Sequence, residues 1–243
     1  ILYNIYVKRK GSDIMDKDLQ EILNALQECD FYCLNSKNYY DNVIYDFKHK
    51  YKKPFNYDTG ASKLALIFKD FGYVIKIPFS GSMGYDYSNS NSENEFDDCY
   101  DDWENFCNAG GYYNGWNYCQ AEVDVYENAK DFGIEDCFAK TEKLAEIKNY
   151  PIYKQEYVKV YDYGVSSCHT PQDKEKVISL CKEQCFWECD ENWLADVLAY
   201  FGEKVFNKLI KFIQDIEIND LHNGNIGYIN LKPVLMDYSG WND

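Results

Sequence analysis

The order of apolar and polar residues predicts amphipathic helices in four parts of the chain. In the first, Leu19, Ile22 and Leu26 recur at the spacing of one helical face. Acidic residues precede this repeat, which is typical of a helix N-terminus. The same period predicts helices over residues 13–30, 119–132, 171–187 and 191–215.

A second pattern consists of short runs rich in β-branched and aromatic residues, and it predicts β-hairpins. Residues 64–68 and 73–78 form two such runs, and Lys69–Gly72 supplies turn-forming residues between them. The other predicted strands and hairpins cover residues 143–147, 152–160 and 226–236.

Two stretches follow neither pattern. Residues 36–58 mix polar and aromatic side chains and lead into a predicted turn at 58–62. Residues 80–115 are rich in Gly, Ser, Asn and Tyr, and the part from Ser82 to Asn108 carries eight acidic residues without Lys or Arg. We interpret residues 80–115 as a loop-like acidic insertion. Antiparallel hairpins with separate helices predict the α+β class.

Composition indicates a folded protein and argues against two kinds of partner. The chain has 243 residues, of which 46% are hydrophobic, and this suffices for one large domain or two small lobes. The net charge of −16 would repel a nucleic-acid backbone, so we expect no nucleic-acid partner. No apolar run reaches the about 18 residues of a membrane span, and we expect no membrane partner and a cytoplasmic location.

The ten cysteines are expected to be reduced thiols, because disulfide frameworks are typical of small secreted domains. Cys181, Cys185 and Cys189 are spaced four apart on a predicted helix, and Cys168 and His169 come shortly before them. A metal cluster is one interpretation of this spacing. A buried apolar stripe is the other, because cysteine commonly behaves as a small buried hydrophobe.

Three residues of metal-binding type lie near the end of the sequence. Asp220 and Asn225 are in a turn-rich loop after a long helix, and the predicted hairpin that follows would return Asp237 toward them. Two carboxylates and an amide supply oxygen ligands of the kind that Mg²⁺ takes beside substrate phosphates. Asp and Asn also form turns, so each of these residues alone fits a structural role as well.

The motif Asp-Leu-His-Asn-Gly-Asn at residues 220–225 resembles the catalytic loop of protein-kinase-like enzymes, especially the aminoglycoside phosphotransferase type. Asp-Tyr-Ser-Gly at 237–240 is similar to their metal-binding Asp-Phe-Gly motif. The resemblance implies a two-lobed fold, with a small antiparallel sheet and one helix in the first lobe and a mainly helical, shortened second lobe.

The resemblance also implies roles for individual residues. Asp220 would orient or deprotonate the acceptor hydroxyl, and Asn225 and Asp237 would bind the Mg²⁺ that bridges the ATP phosphates. Val-Ile-Lys at 74–76 is similar to the strand whose lysine holds the phosphates, which is Lys76 here. Glu122 would be the partner of Lys76.

Glu127 is the weaker alternative for this partner, and an exposed acidic helix face is the structural alternative for both glutamates. Two literal Asp-Phe-Gly triplets, at Asp70–Gly72 and Asp131–Gly133, are expected to form a turn and a helix end instead of binding metal.

The expected ATP-binding residues complete the resemblance. Gly60, Ala61, Ser62 and Lys63 would cover the phosphates with their backbone N–H groups and with the Ser62 hydroxyl, although this turn has fewer glycines than the family's three-glycine loop. Backbone groups near Glu156 and Val158 would meet adenine. Asn219 also departs from the family, in which His or His-Gly commonly precedes the catalytic Asp.

The predicted organisation is a helical N-terminal extension at 1–50, a kinase-like first lobe at 51–158 and a reduced second lobe at 159–243. Only six residues follow Asp237, so acceptor binding is expected to come from the extension, the insertion or the helices at 171–215. The acidic insertion would attract a cationic small molecule or a basic protein, unless it is only a solvated loop.

The leading functional hypothesis is an ATP- and Mg²⁺-dependent phosphotransferase acting on a hydroxyl of a protein or a small molecule. The second is a pseudokinase that binds nucleotide as a protein-interaction switch or decoy. A related transferase that moves AMP is a further alternative.

Overall fold

The computed structural model describes residues 17–31, 34, 40–60, 62–79, 117–148, 150–162, 168–181, 189–218 and 220–238. Within these ranges the chain forms six α-helices and eight β-strands. All pairings between the named strands are antiparallel. The predicted α+β class is therefore confirmed.

The helices are α1 (Lys17–Gln27), α2 (Asp41–Lys50), α3 (Tyr118–Phe132), α4 (Pro171–Cys181), α5 (Glu191–Phe201) and α6 (Glu203–Asp215). The strands are β1 (Asn56–Thr59), β2 (Lys63–Phe68), β3 (Tyr73–Pro78), β4 (Thr141–Ile147), β5 (Tyr150–Glu156), β6 (Lys159–Val160), β7 (Ile226–Ile229) and β8 (Lys232–Leu235). The larger sheet has the order β1-β2-β3-β5-β4, and the smaller one β6-β7-β8. None of the helices in these ranges has the length and apolar character to cross a membrane.

One face of the larger sheet is buried under α1 and α2. Every second side chain of β2 and β3 points to this face, and Leu64, Leu66, Ile75 and Ile77 are fully buried there. These residues share one apolar core with the buried sides of both helices. Helices α1 and α2 are therefore packed against the sheet and share its apolar core.

The opposite face of the larger sheet lies against α3. This helix begins after Asn117, whose side chain accepts a hydrogen bond from the Gln120 backbone N–H at 3.1 Å. It ends at Gly133, which adopts a left-handed conformation with φ of +66°. The Asp131–Gly133 triplet thus closes a helix, and the Asp70–Gly72 triplet forms the turn between β2 and β3.

A second apolar core surrounds α5 and α6 and also includes side chains of α3, β7 and β8. Trp193 is buried in it and donates its indole N–H to the Gly227 carbonyl at 3.2 Å. The prediction of one continuous helix over 191–215 is wrong at Gly202. This glycine has φ of +80° and ψ of 163°, an extended, left-handed combination that separates α5 from α6.

Other predicted boundaries also differ. Neither α2 nor β1 was expected, because the sequence from 36 to 58 has no clear apolar period. The helix predicted at 13–30 spans Lys17–Gln27, and the one predicted at 171–187 is seen as far as Cys181. Residues 182–188 and the whole acidic insertion at 80–115 lie outside the described residues.

Gly227 in β7 lies so close to the chain at β6 that a side chain has no room. A Cβ atom at this position would stand 2.6 Å from Val158 Cγ1 and closer still to the Lys159 carbonyl oxygen. We expect Gly227→Ala to lower the free energy of unfolding by about 1–3 kcal/mol, because the backbone of β6 must shift. Urea unfolding followed by circular dichroism measures this change.

Gly60→Ala is the matched control, because a Cβ at Gly60 would meet no atom within 4 Å. Its effect on the free energy of unfolding is expected to stay within about 0.5 kcal/mol. A Gly227→Ala variant as stable as the control would contradict the close approach of β6 and β7.

Candidate functional site

Two lysines and a glutamate form a buried ion cluster between the larger sheet and α3. Lys76 Nζ lies 2.8 Å from Glu122 Oε1 and 2.7 Å from Glu122 Oε2. Lys63 Nζ donates to the same Oε1 atom at 2.7 Å. The glutamate side chain is fully buried, and the lysine side chains are 7% and 6% exposed. The predicted contact between Lys76 and Glu122 is thus present.

The strand register places both lysines on the same face of the sheet. Lys76 pairs with Ala65 across β2 and β3, and Lys63 precedes Ala65 by two residues, so the three side chains point the same way. The neighbouring residues Leu64 and Ile75 point into the apolar core on the other side. The alternation that builds that core therefore also directs the two ammonium groups toward α3.

Asp237 joins the cluster from the far end of the chain. It follows β8, and its Oδ1 atom accepts a hydrogen bond from Lys63 Nζ. Its φ of +51° lies in the left-handed region, which costs energy for a residue other than glycine. The side chain remains 36% exposed, so its carboxylate is held at the edge of the buried cluster and still reaches solvent.

The charges of this cluster are fixed by their neighbours. Burial raises the pKa of Asp237, but the ammonium groups of Lys63 and Lys76 outweigh burial and hold this pKa well below its usual range. Burial lowers the pKa of Lys63, yet the carboxylates of Asp237 and Glu122 outweigh it and keep this pKa well above its usual value. Asp237 is therefore anionic and Lys63 cationic at neutral pH.

A neutral thiol lies beside these charges. Burial raises the pKa of Cys119 to about 12, so this cysteine acts as a packing residue at neutral pH.

Hydrogen bonds connect Glu122 to the residue after Asp237. Gln155 donates to Glu122 Oε2 at 3.1 Å and to Thr141 Oγ1 at 2.8 Å. The Thr141 hydroxyl lies 2.9 Å from that of Tyr238, which donates to the Ala139 carbonyl at 2.7 Å. This buried network fixes the backbone next to Asp237 relative to α3 and β5.

The motif at 220–225 forms a compact turn that is bonded to the Asp237 segment. The Asn225 side-chain amide donates to the Asp220 carbonyl at 2.8 Å and to its carboxylate at 3.2 Å. The Asn225 carbonyl accepts from the Met236 N–H at 2.8 Å. Inside the turn, the Gly224 N–H donates to His222 Nδ1 at 2.9 Å. The structure therefore connects Asp220, Asn225 and the residue before Asp237.

These contacts leave oxygen atoms of the right type for a cation. Both bonds of the Asn225 side chain come from its nitrogen, and its Oδ1 atom has no hydrogen-bond partner in the part of the chain that the structure describes. The Asp220 side chain is 33% exposed and lies 3.5 Å from His222 Nε2. A hard divalent cation such as Mg²⁺ takes carboxylate and amide oxygens together with water, so this donor set fits it.

The residues expected to cover phosphates lie in the turn between β1 and β2. Gly60 N donates to the Lys63 carbonyl at 3.1 Å, and the Ser62 carbonyl accepts from Phe79 N at 2.9 Å. Ala61 lies outside the described residues. The turn therefore directly precedes Lys63, whose side chain contacts Asp237. Within the described ranges, no backbone hydrogen bond joins the turn itself to Asp237.

The two residues expected near adenine differ in their backbone contacts. Glu156 N donates to the Lys140 carbonyl at 3.0 Å, and its carboxylate accepts from Lys140 N at 2.9 Å. Glu156 N–H is therefore occupied.

Val158 is arranged differently. Tyr161 N donates to the Ile226 carbonyl, so antiparallel alternation turns the N–H and C=O of Val158 away from β7. Neither group has a hydrogen-bond partner among the residues described. Val158 also packs with Ala139 and Val234 in a small apolar cluster.

The cysteines that the structure describes do not form a metal cluster. Among the described residues, no group of three or more His, Cys, Asp or Glu side chains is arranged to hold a metal ion. Cys189 is buried and Cys181 half-buried, and Cys185 lies outside the described ranges.

Sequence reasoning missed the side-chain role of Lys63 and a second buried network at Asp196. Lys63 was assigned a backbone role only, although the alternation of β2 places its side chain on the face opposite Leu64 and Leu66. Asp196 is 1% exposed and accepts from Tyr228 OH at 2.6 Å and from His169 Nδ1 at 2.8 Å. It also accepts from the backbone N–H groups of Cys168 and His169.

Burial raises the pKa of Asp196, but the hydrogen bonds from Tyr228, His169 and Cys168 outweigh it and lower this pKa. This carboxylate therefore anchors residues 168 and 169 to α5 and β7. A single Asp on an apolar helix was the available signal in the sequence.

Comparisons with known proteins found no counterpart. No protein-family model, no curated protein and no solved structure matches the chain.

Replacing Glu122 by Gln removes the carboxylate that contacts both buried ammonium groups. We expect Glu122→Gln to lower the free energy of unfolding by about 3–5 kcal/mol, the usual cost of leaving a buried charge without its partner. Chemical unfolding at neutral pH measures this loss.

Glu127→Gln is the matched control on the same helix. Glu127 pairs with Lys130, and both side chains are substantially exposed, so its loss is expected to cost less than about 1 kcal/mol. Equal effects of the two substitutions would contradict the buried ion cluster.

Proposed function

We propose that this protein is a kinase-like phosphotransferase that uses ATP and Mg²⁺ to phosphorylate a hydroxyl group. The observation that carries the proposal is the ion cluster. In it Lys76 is paired with Glu122, and Lys63 connects Glu122 to Asp237 by a hydrogen bond to each carboxylate. Lys76, Glu122 and Asp237 are separated widely in sequence, and each stands at the place in its motif that the resemblance to protein-kinase-like enzymes requires.

The architecture supports the same proposal at a coarser level. In this interpretation, the larger sheet with α3 is the first lobe, and α4 to α6 with the smaller sheet are the second. The segment from Val158 to Val160 would be the connection between them. The two main apolar cores agree with such a division in part, because the larger sheet shares one core with α1 and α2, whereas apolar side chains of α3 join the core around α5 and α6.

Each polar group would have one task in the reaction. Lys76, oriented by both carboxylate oxygens of Glu122, would bind ATP phosphate oxygens. Asp237 and the Oδ1 atom of Asn225 would hold Mg²⁺, which when bound neutralises charge on the phosphates. Asp220, whose carboxylate is partly exposed, would orient the acceptor hydroxyl and accept its proton.

The nucleobase would bind next to β6. The outward N–H and C=O groups of Val158 offer a donor and an acceptor to the edge of adenine, and the apolar cluster with Ala139 and Val234 offers a surface for its ring. The occupied N–H of Glu156 makes its carbonyl the group of that residue that remains for adenine.

For the acceptor, we propose a cationic small molecule or a basic protein segment. The support is the charge of −16 and the run of eight acids in the insertion, which would raise the local concentration of a cation.

A nucleotide-binding pseudokinase is the second candidate. It is favoured by one observation, the contact between Lys63 and Asp237, because a lysine on this carboxylate occupies a position that catalysis would require for a metal. Such a protein would bind nucleotide without transferring phosphate.

Turnover of ATP labelled at the α- or γ-phosphate tests the proposal, with a panel of basic peptides and aminated small molecules as acceptors. We expect transfer of the γ-label and a loss of at least about 100-fold in kcat for both Lys76→Met and Asp237→Asn. Lys130→Met, an exposed change on α3, is expected to keep parental turnover.

Three outcomes would contradict the proposal. Transfer of the α-label would indicate movement of AMP. Binding of ATP without transfer of either label would favour the pseudokinase. Parental activity in Asp237→Asn would exclude this residue as the metal ligand.

A further inference from the structure

The Lys63 ammonium contacts the Asp237 carboxylate, so it would compete with any cation that binds to this carboxylate. Its Nζ atom contacts Glu122 Oε1 and Asp237 Oδ1 at once, and its side chain is 7% exposed. Lys76, in contrast, is held by both oxygens of Glu122. The pairing of Lys76 with Glu122 therefore does not require Asp237, whereas Lys63 divides its contacts between the two carboxylates.

The four charges of the cluster sum to zero. Lys63 and Lys76 supply two positive charges, and Glu122 and Asp237 two negative ones. A divalent cation at Asp237 would add two positive charges next to two ammonium groups, in surroundings where charges are poorly screened. Such a cation must either displace Lys63 from Asp237 or share the carboxylate with it.

A polyphosphate changes this balance, because it brings several negative charges that can accept the displaced ammonium group. Lys63 is the first residue of β2 and directly follows the turn of Gly60 and Ser62, which is the turn that we expect to cover phosphates. Its four-carbon side chain allows the ammonium to leave Asp237 while the strand stays in place.

We infer that Lys63 makes cation binding at Asp237 conditional on polyphosphate. Without nucleotide, its ammonium holds Asp237 and weakens the site for divalent cations. With nucleotide, the ammonium moves to a phosphate oxygen and Asp237 becomes available. This inference rests on the proposed function, and it adds Lys63 as a positioning residue that couples the two binding events.

Binding of Mn²⁺ alone, measured by electron paramagnetic resonance without nucleotide, tests whether the Lys63 ammonium competes with a cation at Asp237. We expect Lys63→Gln to bind Mn²⁺ at least about fivefold more tightly than the parent, which is the lower end of typical coupling between two ligands. Lys63→Arg keeps a cation beside Asp237 and is expected to bind Mn²⁺ as the parent does. Adding Asp237→Asn to Lys63→Gln should remove the gain.

Unchanged or weaker Mn²⁺ binding in folded Lys63→Gln would overturn the inference. Circular dichroism checks that each variant is folded, and Lys63→Met serves as a second neutral variant. Nuclear magnetic resonance of lysine ¹⁵Nζ groups provides a test on the parent itself. The Lys63 resonance is identified by its absence from the spectrum of Lys63→Arg. It should shift when Mg²⁺ saturates the parent, and an unchanged Lys63 resonance would also overturn the inference.

ATP turnover measured on the same proteins separates this inference from the proposed function. Tighter Mn²⁺ binding in Lys63→Gln, together with a parent that does not use ATP, would support the competition at Asp237 and reject the phosphotransferase. Unchanged Mn²⁺ binding with normal turnover in the parent would reject only the role of Lys63.

Discussion

The pairing of Glu122 with two buried lysines is the interaction on which the arrangement of this protein depends. One carboxylate with no exposure to solvent receives hydrogen bonds from β2, β3 and β5. Because an unpaired charge in such a place is costly, α3 is held in one position against the sheet. Through Lys63 the same carboxylate also determines where Asp237 lies.

A polar cluster of this size is not needed for stability. Apolar residues of similar volume could fill the space between the sheet and α3 at similar or better stability, since desolvating the charges offsets much of their attraction. The molecule already has an apolar core under α1 and α2 and another around α5 and α6. The charges therefore suit a role in binding a charged ligand, which is the role proposed for them.

Local patterns in the sequence predicted the parts of the site that depend on regular elements. The alternation of β3 and the helical repeat of α3 predicted the two elements, and the resemblance to protein-kinase-like enzymes implied that Lys76 pairs with Glu122. The contact of Lys63 with Asp237 was not predictable in this way, because the two residues are 174 positions apart and their approach depends on tertiary packing. Helix α2 was missed because only three of its residues, Val43, Ile44 and Phe47, are buried, and these are too few to form a clear apolar repeat. Gly202 was read as a residue within a helix, although its positive φ separates two helices.

Hydrogen–deuterium exchange with and without Mg²⁺ and ATP tests whether the ion cluster is a nucleotide site. We expect slower exchange in three segments, which are the turn before Lys63, the stretch from Glu156 to Val160 and residues 220–238, while exchange in α1 and α2 stays unchanged. Glu122→Gln should lose this protection if it remains folded. Exchange that is unaffected by Mg²⁺ and ATP, or protection confined to α1 and α2, would contradict a nucleotide site at the ion cluster.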